Sequence, residues 1–133
     1  MSRLRTHVLF AVFMLCELGA TSAFAQDGFA KVNGLTGAVF SSGGASTTNV
    51  TAARTDTGQY DVTFTGSFAG ITDDQVIINT TAQTFGFGVT NAKVMSTSDT
   101  TIVIHVIVWN SSTLVFQDNN TFITINIGSL PTP

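Results

Sequence analysis

A strict two-residue alternation after a glycine turn places the strongest constraint on the fold of this chain. Gly58 marks the turn, and from Tyr60 to Thr65 apolar and polar side chains alternate. This period of two predicts a β-strand with one buried and one solvated face. The apolar set, Tyr60, Val62 and Phe64, is aromatic and β-branched, which suits a pleated surface packed on a second sheet. We therefore expect the central strand of a β-sandwich here.

The N-terminus has the pattern of an export signal. Arg3 and Arg5 give a positive start, and residues 8–18 are apolar except for Glu17. Small residues then precede a cleavage site after Ala25. The alternative is an uncleaved membrane anchor, but the apolar run is short for a spanning helix and contains an acidic residue, which favours a cleaved signal. We expect a cleaved signal-peptide helix and a secreted or periplasmic protein with no stable membrane span after cleavage.

The chain then divides into a signal peptide, residues 1–25, and a single domain, residues 26–133. The domain contains no cysteine, so it has neither disulfides nor thiolate metal ligands, and export without disulfides is typical of bacterial proteins. Three Lys and Arg residues face seven Asp residues, a formal net charge of −4. This sparse acidic charge argues against nucleic acid as a partner.

The remaining apolar segments are short and separated by turn residues. Residues Thr101–Trp109 are the most apolar and carry apolar side chains on both faces, which predicts an interior strand. Residues 113–117 are expected to form the hairpin partner of this strand. The last segment, Thr121–Ile127, again alternates. We predict an all-β domain, an antiparallel β-sandwich of jelly-roll-like type with about eight to ten short strands.

Three segments of the domain form a recognisable pattern: Phe29-Ala30-Lys31-Val32, Arg54-x3-Gly58-x-Tyr60-x-Val62-x-Phe64 and Asp118-x3-Phe122. Together they resemble a largely uncharacterised class of exported bacterial β-sandwich domains. Those domains carry an R-x-G-x-G-x-Y-x-V-x-F-like strand and close with a D-x-x-F strand. The resemblance implies a single secreted β-sandwich and no catalytic residue, and a looser, fold-level similarity is to jelly-roll modules of the complement head type. The residues to which it gives a structural role are Arg54, Gly58, Tyr60, Val62, Phe64 and Phe122, with Asp118 opening the closing motif.

The residue types of the domain offer little for catalysis. His105 is its only histidine, and the domain has no cysteine, so no second ligand of either type could complete a zinc site. His105 also lies in the most apolar strand. No G-x-S-x-G segment occurs that would present a serine nucleophile. We expect a packed, hydrogen-bonded structural histidine, no enzyme activity and no cofactor.

Arg54 stands at the mouth of the central strand and is predicted to have a structural role. A guanidinium can bind a carboxylate with two parallel hydrogen bonds and so hold a loop in place. Asp61 and Asp118 are the two candidate partners. We expect Arg54→Lys to lower the melting temperature.

Carboxylates in turns are candidates for calcium binding. Asp73 and Asp74 are adjacent in a loop, and Asp118 opens another turn. Calcium takes carboxylate and carbonyl oxygens, but the spaced D-x-D-x-D-G loop is absent, so solvated turn residues are the favoured interpretation.

Aromatic residues supply two further hypotheses. Tyr60 and Trp109 could stack on a sugar, although aromatic residues in strands more often belong to the core. Phe85 and Phe87, which alternate with glycine, are a candidate patch for a partner.

These observations favour an exported, non-enzymatic structural or protein-interaction module. Association with another protein or with itself would use an edge strand or a Thr- and Asn-rich face. The alternative is a lectin-like module that binds carbohydrate through loop aspartates, asparagines and one aromatic residue, with or without calcium.

Overall fold

The computed structural model of the chain describes residues 25–82, 88–118 and 122–130. Except for its last residue, the predicted signal peptide lies outside these ranges. The predicted partner patch, Phe85 and Phe87, also lies outside them. None of the residues described forms a helix long and apolar enough to cross a membrane.

Nine β-strands and one 3-10 turn make up the regular structure of the described ranges. The 3-10 turn, Asp73–Gln75, directly precedes the fifth strand. The predicted all-β class is therefore confirmed. The strands are β1 Ala25–Asn33, β2 Val39–Gly43, β3 Thr47–Asp56, β4 Gln59–Gly66, β5 Val76–Ala82, β6 Gly88–Thr97, β7 Thr101–Asn110, β8 Val115–Phe116 and β9 Phe122–Ser129.

The strands form two antiparallel sheets. The first sheet has the order β2-β1-β9-β5, and the second has the order β3-β4-β7-β6 with β8 beside β7. The pairs β1–β2, β3–β4, β6–β7 and β7–β8 are hairpins within one sheet, and the chain changes sheet between β2 and β3, β4 and β5, β5 and β6, and β8 and β9. The predicted arrangement of two antiparallel sheets is thus observed.

The inner faces of the two sheets share one hydrophobic core. Strands β4, β7 and β9 bury every second side chain in this core, as the alternation in the sequence predicts. Burying one such side chain stabilises the fold by about 1.5–3 kcal/mol. The buried apolar residues are Ala30, Val32, Val50, Tyr60, Val62, Phe64, Phe68, Ile102, Ile104, Val106, Val108, Ile123, Ile125 and Ile127.

Strand β7 is interior, as its sequence predicts, because β4 pairs with one of its edges and β6 with the other. Its outer face carries Val103, His105, Ile107 and Trp109, which are half-buried. The predicted hairpin partner of β7 over residues 113–117 is shorter than expected, since β8 pairs only through Val115 and Phe116.

Candidate functional site

Three turns meet at one end of the sandwich. The β1–β2 turn, the β3–β4 turn and the segment that follows β8 come together around the ion pair between Arg54 and Asp118. The glycine at the β1–β2 turn lies so close that an added Cβ on Gly37 would meet the backbone nitrogen of Arg54 at 2.5 Å. We call this arrangement the turn cluster; its members are Gly34, Gly37, Arg54, Gly58, Tyr60 and Asp118.

The guanidinium of Arg54 binds Asp118 with two hydrogen bonds. Nε donates to Oδ1 at 2.8 Å and Nη2 to Oδ2 at 2.7 Å. Of the two candidate partners, the structure therefore joins Arg54 to Asp118 and not to Asp61. The hydrogen bond from Arg54 lowers the pKa of Asp118 below its usual value. Partial desolvation opposes this shift, and a hydrogen bond from the Gly58 N–H at 2.8 Å reinforces it. The bond between Arg54 and Asp118 also raises the pKa of Arg54.

Backbone geometry explains the glycine in this motif. Gly58 has a positive φ of 65°, which L side chains rarely adopt. A Cβ there would also meet the carbonyl oxygen of Val108 at 2.5 Å and that of Gln117 at 2.7 Å. The turn therefore requires glycine both for its conformation and for the close approach of two backbone segments.

Tyr60 supports the turn cluster from the core. Its side chain is fully buried, and its hydroxyl donates a hydrogen bond to the carbonyl of Gly34. The hydroxyl also lies 3.4 Å from Oδ1 of Asp118. Tyr60 is thus a core residue, the interpretation that the sequence favoured, and its ring has no solvent-accessible face for stacking on a sugar.

His105 lies on the outer face of the second sheet and is hydrogen-bonded, as predicted. Its Nδ1 lies 2.6 Å from Oδ1 of Asp61, the directly opposite residue on β4. An ionised carboxylate can only accept, so Nδ1 carries the hydrogen. When the ring is neutral, Nε2 is then an acceptor, and the side chain is fixed by its partner.

A shallow pocket of about 260 Å³ opens beside this histidine. Lys93, the residue opposite His105 on β6, forms one wall. Ile107 follows His105 on the same face of β7, and most of the accessible surface of the pocket is apolar. We call this the outer-face pocket; its lining residues are Asn91, Ala92, Lys93, His105 and Ile107.

Apolar side chains are exposed at the hairpin between β7 and β8. Leu114, Val115 and Phe116 are 80%, 61% and 48% exposed. Leu114 also has a positive φ of 56°, a conformation that costs an L residue about 1 kcal/mol. Phe116 pairs with Trp109, so the apolar surface continues onto β7. We call residues Leu114–Phe116 the hairpin tip.

The loop aspartates predicted as calcium candidates already have protein partners. Asp73 accepts a hydrogen bond from the Thr97 hydroxyl at 2.7 Å, and Asp118 is bound to Arg54. Asp74 accepts a hydrogen bond from the hydroxyl of Thr72. In the parts of the chain that are described, no group of three or more His, Cys, Asp or Glu residues could hold a metal ion.

Phe122, the last residue of the family-like motif, lies on the outer face of the first sheet. Its ring centroid is 4.9 Å from that of Phe40. The ammonium of Lys31 lies 4.5 Å from the centroid of Phe122, within cation–π range. Phe122 therefore contributes to a surface cluster, whereas Tyr60, Val62 and Phe64 contribute to the core.

Comparison with protein-family models, with curated proteins and with solved structures finds no match for this chain.

The sequence did not identify the cross-strand neighbours of His105. Asp61 and Lys93 are separated from it by 44 and 12 positions, and they meet it only through the register of β4 and β6 on β7. The alternation of the two strands indicated that Asp61 and Lys93 point outward. It did not indicate the strand register that places them beside His105. The hairpin tip was likewise expected to be an ordinary paired strand.

Proposed function

We propose that this chain is an exported, non-enzymatic β-sandwich module that associates with a second copy of itself through the hairpin tip. Export rests on the N-terminal pattern of positive, apolar and small residues. The likeness to exported bacterial β-domains belongs to the same proposal. The jelly-roll-like assignment also belongs to the proposal. Two facing sheets joined by crossovers support it, and four in-sheet hairpins oppose it.

The observation that carries the proposal is the run of three exposed apolar residues at the hairpin tip. Contiguous apolar side chains on a soluble domain commonly mark an interaction surface. The surrounding segment, residues 109–117, contains no charged residue, although the domain as a whole has a net charge of −4. A second copy can therefore approach this surface with less electrostatic repulsion than elsewhere.

Two-fold symmetry gives the association a simple form. In a two-fold dimer the same patch meets itself, and a single self-complementary patch is sufficient. Val89, Trp109 and Phe116 are adjacent across β6, β7 and β8, so they extend the hairpin tip into one apolar surface. Within the described ranges β8 pairs only with β7, so its other edge adds backbone groups for strand pairing.

The proposal of no catalysis is supported by the outer-face pocket. His105 and Asp61 form a pair of the kind that activates nucleophiles, but the described lining residues include no serine, threonine or cysteine. The pair thus has no side-chain hydroxyl or thiol to activate among them.

Sedimentation velocity over a wide concentration range tests the self-association. We expect a reversible dimer for the exported protein and a monomer for Leu114→Ser/Phe116→Ser. Phe40→Ser is the matched control, because Phe40 is 68% exposed on the other sheet and should leave the dimer intact. A protein that stays monomeric at every concentration up to about 1 mM would refute the proposal, because even a dimer with a millimolar dissociation constant would then be detected. The mass of the same sample shows whether the chain is cut after Ala25.

The second candidate is the lectin-like ligand-binding module, and one observation favours it. The outer-face pocket combines polar side chains with an apolar part, and Trp109 follows Ile107 on the same face of β7. A glycan array with and without chelator tests this candidate. We expect binding that chelator does not change, since the calcium candidates Asp73 and Asp118 are engaged by Thr97 and Arg54.

A further inference from the structure

We infer that the outer-face pocket binds a saccharide that carries a carboxylate, such as a uronic-acid residue. The inference rests on the second candidate function and deepens it by naming the site and the ligand class. It depends neither on calcium nor on the hairpin tip.

The pocket contains a cation that is free to bind an anionic group. Lys93 is exposed and has no hydrogen bond, ion pair or ring contact within the described ranges. The other two cations of the domain are engaged, Arg54 with Asp118 and Lys31 with the rings of Phe40 and Phe122. A hydrogen bond between an ammonium and a carboxylate is about twice as strong as one between neutral groups.

His105 supplies the complementary site for a hydroxyl group. Because Asp61 holds the Nδ1–H, the neutral ring presents Nε2 as an acceptor. A sugar hydroxyl can donate to this nitrogen while a carboxylate on the same sugar contacts Lys93. The two side chains are direct cross-strand neighbours, a spacing of about 5 Å between Cβ atoms, which is the scale of one sugar ring.

The remaining lining residues fit the rest of a sugar. The amide oxygen of Asn91 accepts the Ala92 N–H at 2.8 Å, which fixes the side chain and leaves its NH₂ group as a donor. Ile107 offers apolar surface to the C–H face of a sugar. The volume of about 260 Å³ lies just below the usual range for small-molecule sites, which favours one sugar residue over a long segment.

Isothermal titration calorimetry with three probes tests the inference on the exported protein. The probes are a trimer of galacturonic acid, the methyl ester of the same trimer, and lactate, a hydroxy acid without a sugar ring. We expect binding of the acid trimer alone, and an affinity at least tenfold weaker in Lys93→Gln and His105→Gln, since each variant loses one directed contact. Binding should also weaken as salt is raised, because an exposed ion pair is screened.

Lys31→Gln is the matched control, because it removes the other lysine of the domain without touching the pocket, and it should bind like the unchanged protein. Circular dichroism verifies that each variant is folded. Equal binding of the ester would overturn the role of charge, and equal binding of lactate would identify a general hydroxy-acid site instead. Saccharide binding that survives both pocket variants would place the site elsewhere and leave the second candidate standing. No binding of any saccharide, on the array or in the calorimeter, would overturn both.

Discussion

The turn cluster and the hairpin tip lie next to each other along the chain, yet they are built in opposite ways. In the turn cluster the polar side chains of Arg54, Tyr60 and Asp118 are all paired, and glycine allows two backbones to touch. At the hairpin tip, four residues before Asp118, Leu114 is 80% exposed in a left-handed conformation. The turn cluster pairs its polar groups, as a stable fold requires, whereas the hairpin tip exposes apolar side chains.

Under the proposed function, this difference separates residues that maintain the fold from residues that are available for self-association. A stable domain has no structural need for three exposed apolar residues, so their presence in a sparsely charged chain is a functional indication. Substitutions in the turn cluster should therefore change stability, and substitutions in the hairpin tip should change association. Four variants test this separation, in order from the largest expected change in stability to the smallest: Gly58→Ala, Asp118→Asn, Arg54→Lys and Leu114→Asn.

Gly58→Ala should destabilise the fold by about 3 kcal/mol, the largest loss expected among these variants. The new alanine would have to adopt a positive φ, and its Cβ would also meet the Val108 carbonyl oxygen at 2.5 Å. Gly70→Ala is the control, because Gly70 has a φ of 79° and open space around its Cβ, so it should lose only about 1 kcal/mol. Urea unfolding measures both. Equal losses in the two variants would mean that the close backbone approach carries no weight.

Asp118→Asn and Arg54→Lys should each lower the melting temperature by several degrees at neutral pH, since either change breaks the two-pronged ion pair. The effect should depend on pH. The pKa of Asp118 is lowered in the folded state, so the stability it contributes is complete above the unfolded value of about 3.9 and is lost as pH falls through the folded value.

Thermal melts between about pH 7 and pH 2 should therefore show the unchanged protein and Asp118→Asn converging in acid. Asp99→Asn is the control, because the exposed side chain of Asp99 makes no hydrogen bond in the residues described. A constant difference between Asp118→Asn and the unchanged protein across this range would contradict the assigned ion pair.

Leu114→Asn should have the smallest effect on stability and the opposite sign. Asparagine tolerates the left-handed conformation better than leucine, so the variant should gain up to about 1 kcal/mol. Leu35→Asn is the control, because Leu35 is also exposed, at 55%, but is not among the residues with positive φ. Denaturant unfolding at low protein concentration separates this gain from any dimer. A clear loss of stability in Leu114→Asn would show that the hairpin tip is structural after all.

Local patterns in the sequence were sufficient for the elements of the fold. The alternation in Tyr60–Phe64 and the apolar run of Thr101–Trp109 predicted two strands and their burial, because a period of two commits alternate side chains to opposite faces. The role of Gly58 at a turn and a carboxylate partner for Arg54 also followed from residue type. These are properties of neighbouring residues, which the order of the chain already contains.

Register and sheet order were decided by the tertiary structure. The sequence offered Arg54 two aspartates, and only the path of the chain after β8 brings Asp118 to it, while Asp61 is placed opposite His105. Lys93 completes the outer-face pocket for the same reason. The amino-acid sequence by itself thus determined which residues face inward and which turns they form. Contacts between distant strands depend on the packing of the whole sandwich, because a shift of one residue in any pairing would move every side chain to the other face.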